Sequence, residues 1–186
     1  MLTKLNLLAL ILFYSISLWA DINQGLWSTG CKNGLKKEQI YDNRNKVITV
    51  ERYFTDANCM AESFNFQTTG QISYYKDSAD FIDFVYAKIY LNIFKQNIIE
   101  DFNTRKVCGI SNWKAAYEQN ITGLKCAIFN ISRPTQIPAT GDLKFGIYRI
   151  EQNKLYYGLL SKDFDASTPA KRPVQINSLI EYIFRN

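Results

Sequence analysis

Between Phe81 and Phe94 the chain reads Phe-Ile-Asp-Phe-Val-Tyr-Ala-Lys-Ile-Tyr-Leu-Asn-Ile-Phe, its longest run of alternating β-forming residues. The odd positions Phe81, Val85, Ala87, Ile89, Leu91 and Ile93 are apolar, with Asp83 the exception. Tyr86, Lys88, Tyr90 and Asn92 occupy even positions. A period of two is that of a strand, whose successive side chains point to opposite faces. The pattern predicts one dry face and one face of tyrosines and polar groups. Such a strand needs partners along both its backbone and its dry face, which directs the rest of the chain towards a sheet.

Shorter segments of the same kind supply those partners. Residues 25–31, 35–41, 47–53, 63–75 and 125–131 read as strands, with a break expected at Gly70. Residues 143–150 and 154–160 flank Glu151-Gln152-Asn153, a polar turn of hairpin length. Residues 95–120 stay open between a short helix and strand-plus-loop, because Phe94, Ile98 and Phe102 fit helical spacing while Ile98, Glu100 and Phe102 also alternate. Pro134, Pro138, Pro169 and Pro173 mark residues 133–142 and 163–173 as surface loops. No repeat or composition break divides the chain. The expected class is all-β, a single antiparallel up-and-down β-barrel of about eight strands. A two-sheet β-sandwich is the alternative.

The N-terminus carries an address. Lys4 precedes an apolar run from Leu5 to Trp19 that ends at the small residue Ala20. This is the layout of a secretory signal peptide over residues 1–20, with cleavage after Ala20 and one domain over 21–186. The run is shorter than the roughly 20 apolar residues a membrane span needs, so no span is expected after cleavage. The expected location is secreted or periplasmic. Cys31, Cys59, Cys108 and Cys126 are then an even set in an oxidising compartment and read as two disulfides. The pairs that close local loops, Cys31–Cys59 and Cys108–Cys126, are favoured.

The absence of histidine removes much chemistry. Without imidazole there is no Ser-His-Asp or Cys-His machinery and no histidine-bound metal, and oxidised cysteines are neither nucleophiles nor zinc ligands. Glycoside hydrolysis needs only two carboxylates, but the nearest pairs, Asp80 with Asp83, Glu100 with Asp101 and Asp163 with Asp165, suit solvated surfaces better. No catalytic residue, metal site or cofactor is therefore expected. The formal charge of +5 is spread in small pairs such as Lys36-Lys37 and Lys171-Arg172. A nucleic-acid footprint would be a dense stripe, so no nucleic-acid partner is expected.

Gly25-Leu26-Trp27 lies where the first strand begins. A Gly-x-Trp there, in an exported all-β chain of this length with local disulfides, resembles the lipocalin and wider calycin barrels. The resemblance implies a barrel closed at its base by Trp27, with Gly25 beside it and an arginine, one of Arg149, Arg172 and Arg185, over the ring. It also implies a non-enzymatic protein that holds a small hydrophobic or amphipathic ligand. The tyrosines suit such a ligand, having apolar bodies and polar tips. Tyr86, Tyr90 and Phe94 are the expected contacts if the even face of their strand points inward. The alternative is an exported interaction module or hydrolase inhibitor that grips an envelope or host protein through the two Pro-marked loops.

Overall fold

The computed structural model describes residues 22, 24–75 and 80–185. The segment read as a signal peptide, residues 1–20, lies outside them. Five long strands follow one another: β1 (Gly25–Lys32), β2 (Leu35–Tyr41), β3 (Lys46–Phe54), β4 (Glu62–Tyr74) and β5 (Phe81–Ile93). Each pairs antiparallel with the one before it. Then come helix α1 (Gln96–Arg105), a 3-10 turn at Val107–Gly109, and the two-residue strands β6 (Gln119–Asn120), β7 (Lys125–Cys126) and β8 (Thr135–Gln136). The last three strands are β9 (Leu143–Glu151), β10 (Lys154–Tyr157) and β11 (Tyr182–Arg185). β5 pairs with β9, β9 with β10, β10 with β11 and β11 with β1. The pairing thus runs round a closed ring of β1–β5 and β9–β11, with β6 attached to the far end of β5. The all-β expectation is met.

Local detail settles one open segment and departs from expectation elsewhere. Gln96–Arg105 settles as helix, because Ile99 and Phe102 bury one helical face and Phe102 meets the ring of Trp113 edge-on. Residues 125–131 form strand only at Lys125–Cys126, since their partner β8 is equally short and offers no further edge. The hairpin turn is Gln152-Asn153 alone, with Glu151 kept in β9 opposite Lys154. β4 runs unbroken through Gly70, where the irregularity is taken up as a bulge instead.

That bulge sets which side chains face inward. Thr69 opposes Lys88 and Gly70 opposes Tyr86, so Ala87 has no opposite number. Directly opposed residues share a face, and one extra residue reverses the parity of the strand beyond it. Ile82, Phe84 and Tyr86 oppose Tyr74, Ile72 and Gly70; beyond the bulge Ile89, Leu91 and Ile93 oppose Thr68, Phe66 and Phe64. The inward face of β5 therefore changes from even to odd positions at Ala87. Two cores result. Ile89, Leu91 and Ile93 pack with Ile99, Phe102, Trp113 and Ile121, while Trp27, Tyr41, Ile72, Ile82, Leu155 and Tyr182 form the other.

Gly70 has no room for a side chain. A Cβ there would stand 2.3 Å from the Val85 carbonyl oxygen and 2.4 Å from the Phe84 ring. Gly70→Ala is expected to cost about 1–3 kcal/mol through overpacking, read as a lower urea midpoint. An unchanged midpoint would show that the bulge yields freely.

Both disulfides join as the local-loop argument favours, Cys31 to Cys59 and Cys108 to Cys126, at sequence separations of 28 and 18. Loops of that size each contribute on the order of 3 kcal/mol in the chain-entropy account. Two such bonds point to an oxidising compartment. Among the described residues no helix is long and apolar enough to cross a membrane.

Candidate functional site: a cavity inside the ring

The inward faces of the strands do not fill the ring completely. They enclose a cavity of about 410 Å³, within the usual range for small-molecule sites, about 300–1,000 Å³. Val47 of β3, Ile72 of β4, Ile82 and Phe84 of β5 and Ile180 give it apolar walls. Tyr41 of β2, Tyr86 of β5, Tyr157 of β10 and Tyr182 of β11 add rings with polar tips. Lys37 and Gln39 of β2, Glu51 of β3 and Lys144 of β9 are the strongly polar lining groups.

The rest of the wall comes from the long excursion between β10 and β11. Leu159, Leu160, Ala166 and Pro173 line the cavity from this segment. Backbone hydrogen bonds tie it down: Leu159 N–H donates to the Gln175 carbonyl at 2.7 Å, and Asn177 N–H to that of Tyr157 at 2.8 Å. Gly158 permits the close approach, because a Cβ there would lie 2.5 Å from Pro173. Arg172 is the main anchor. Its side chain is 10% exposed and stands 2.7 Å from the Asp83 carboxylate, itself 4% exposed. The approach is not aligned as a hydrogen bond to Oδ1, so charge rather than donor geometry carries it. The same guanidinium donates to the Gly146 carbonyl at 2.6 Å and lies over the Phe81 ring, 4.3 Å from its centroid. Tyr75 Oη–H donates to the other Asp83 oxygen at 2.7 Å. Residues 163–173, expected as a free surface loop, are thus exposed along their outer side but bound at Ala166, Arg172 and Pro173.

Inside the cavity the polar groups fall into two sets. Gln39 Oε1 accepts from Tyr41 Oη–H at 2.8 Å and from Tyr157 Oη–H at 2.5 Å, and the two hydroxyls also touch. Burial pushes the Tyr41, Tyr157 and Tyr182 phenols well above their ordinary range, so they remain protonated donors. In the second set Lys37 donates to Glu51 at 2.8 Å. Tyr53 Oη–H also donates to Glu51, at 3.3 Å, and burial together with that carboxylate pushes this phenol up to about 12. Lys144 stands apart. It opposes Phe84 on the inward face and has no ion-pair or hydrogen-bond partner for its ammonium among the described residues. Lys144 is exposed by accessible surface, while the protein packed around it still lowers the affinity of its ammonium for a proton.

Of the three expected ligand contacts, only Tyr86 lines the cavity. Tyr90 opposes Gln67 and Asn120 on the other face, and Phe94 is 39% exposed just past the end of β5. The bulge at Ala87 separates them. Trp27 is fully buried in the second core, against the Phe184 ring at 5.1 Å, and Gly25 also lies close to Phe184. Of the arginines considered for Trp27, Arg172 lies over Phe81 and Arg149 over Tyr156. Sequence reasoning missed Lys37, Gln39, Glu51 and Lys144. In Leu35-Lys-Lys-Glu-Gln-Ile-Tyr41 charges occupy both parities, so no alternation marked the inward set.

Glu51 is the one carboxylate lining the cavity among the described residues, so no acid pair converges on it. Nor do those residues contain a cluster of His, Cys, Asp or Glu able to hold a metal. No protein-family model matches the chain, and no curated protein matches it significantly.

Proposed function

We propose that this chain is a non-enzymatic binding protein, its strand ring acting as an up-and-down barrel of the lipocalin-like type around a small hydrophobic or amphipathic molecule. The observation that carries the reading is the cavity: partly open, mostly apolar, and fitted with a few convergent polar groups. Export fits the same picture. Removal of residues 1–20 would deliver the domain to a secreted or periplasmic location, where its two disulfides persist. The alternative, a protein-interaction module acting through the Pro-marked loops, draws less support. Residues 163–173 are held against the cavity wall by the buried Arg172 rather than presented freely.

The test is titration of the oxidised protein with the neutral fluorophore N-phenyl-1-naphthylamine, followed by native mass spectrometry after incubation with a lipid extract. Saturable one-to-one fluorophore binding and a retained amphiphile are the expected results. Neither fluorophore binding nor a mass adduct would overturn the ligand-binding reading and move attention to the loops.

A further inference from the structure

We propose that the occupant of this cavity is a single-headed anionic amphiphile whose head group is received by Lys144; this rests on the ligand-binding reading above. Among the described residues three charged side chains line the cavity, and two of them, Lys37 and Glu51, satisfy each other. The third is an ammonium with no counter-ion in contact. An unpaired ammonium at the rim of a largely apolar cavity is placed to receive an incoming anion by a charge-assisted hydrogen bond.

The neighbouring carboxylates are committed elsewhere. Asp142 accepts from the Ala139 N–H at 2.7 Å. Asp165 accepts from Ser167 and pairs with Lys171 at 3.3 Å. Glu51 attracts Lys144 through space, but its oxygens are taken by Lys37 and Tyr53. Burial lowers the proton affinity of Lys144, the state in which an incoming anion stabilises the protonated form most.

Position decides the shape of the ligand. Lys144 borders both the cavity and a shallower depression of about 500 Å³ that opens past Pro138, Asp142 and Leu143. It therefore stands between solvent and the apolar interior. A head group held there leaves a tail to run inward along Phe84, Ile82 and Ile72. One unpaired ammonium beside a paired Lys–Glu couple matches a monoanion, and a carboxylate supplies that charge. The class is a medium-chain fatty acid or its chemical equivalent.

The experiment is competition of dodecanoate and dodecanol against the neutral fluorophore, on wild type, Lys144→Met and Lys144→Arg. A charge-assisted hydrogen bond predicts that wild type prefers the acid by about tenfold or more. In Lys144→Met the preference is expected to fall below about twofold, with dodecanol affinity unchanged, while Lys144→Arg retains it. Equal competition in wild type, or a preference that survives Lys144→Met, overturns the assignment but leaves the cavity reading intact. Failure of both compounds to compete overturns both. Lys144→Met replaces an exposed, unpaired ammonium, so its melting temperature is expected to stay close to that of wild type, and thermal denaturation checks that the variant is folded.

Discussion

Trp27→Ala is expected to destabilise the oxidised protein by about 3–5 kcal/mol, the range for removing a large ring from a well-packed core. Trp27 has no exposed surface and belongs to the core that also holds Tyr41, Ile72, Leu155 and Tyr182. It sits on β1 opposite Gln39 of β2 and Phe184 of β11, at the seam where the last strand meets the first. Truncation there leaves a void at the ring closure itself, which the hydrogen-bonded strands β2, β1 and β11 cannot collapse to fill. Since domains are stable by only about 5–15 kcal/mol, the loss is a large fraction of the total. Urea denaturation followed by far-ultraviolet circular dichroism measures it, and Trp27→Phe is expected to recover much of the loss. A Trp27→Ala shift under 1 kcal/mol, where about 3 is the floor for this class, would mean that the seam is loosely packed.

Arg172→Met is expected to cost about 3–5 kcal/mol, because it strands the Asp83 carboxylate without its cation in a buried setting. Methionine keeps much of the apolar stem, so the loss isolates the guanidinium. The effect reaches the cavity as well as the stability. With the anchor gone, the excursion between β10 and β11 keeps its backbone bonds but loses its grip on Asp83 and on the Gly146 carbonyl. The double variant Arg172→Met with Asp83→Asn removes both charges and is expected to be substantially more stable than Arg172→Met alone. A double variant no better than the single one would show that the aromatic seat of Phe81, Tyr75 and Phe145, rather than the ion pair, holds the segment. Amide hydrogen exchange across residues 158–181 reports whether the wall loosens locally or the whole domain unfolds.

The sequence by itself determined the strands and the staples. Period-two alternation over β-branched and aromatic residues located β1–β5 and the β9–β10 hairpin, because strand periodicity is a local property that needs no knowledge of partners. The even cysteine count implied two bridges, and the short separations favoured the pairing observed, since local loops are the easiest to close. Only the tertiary structure decided what faces inward. One residue at Ala87 reverses the parity of β5, so Tyr86 reaches the cavity while Tyr90 and Phe94 do not. A bulge is agreed between two strands, and its trace in the sequence is no more than a small residue, Ala87, on one and a glycine, Gly70, on the other. The cavity's polar lining was hidden for a related reason. Lys37, Glu51 and Lys144 look like solvent-facing residues until the ring closes, and closure alone makes the inside of a sheet a place where charge can be enclosed. Arg172 and Asp83 meet across 89 positions of chain, a distance over which composition and spacing carry no information about contact.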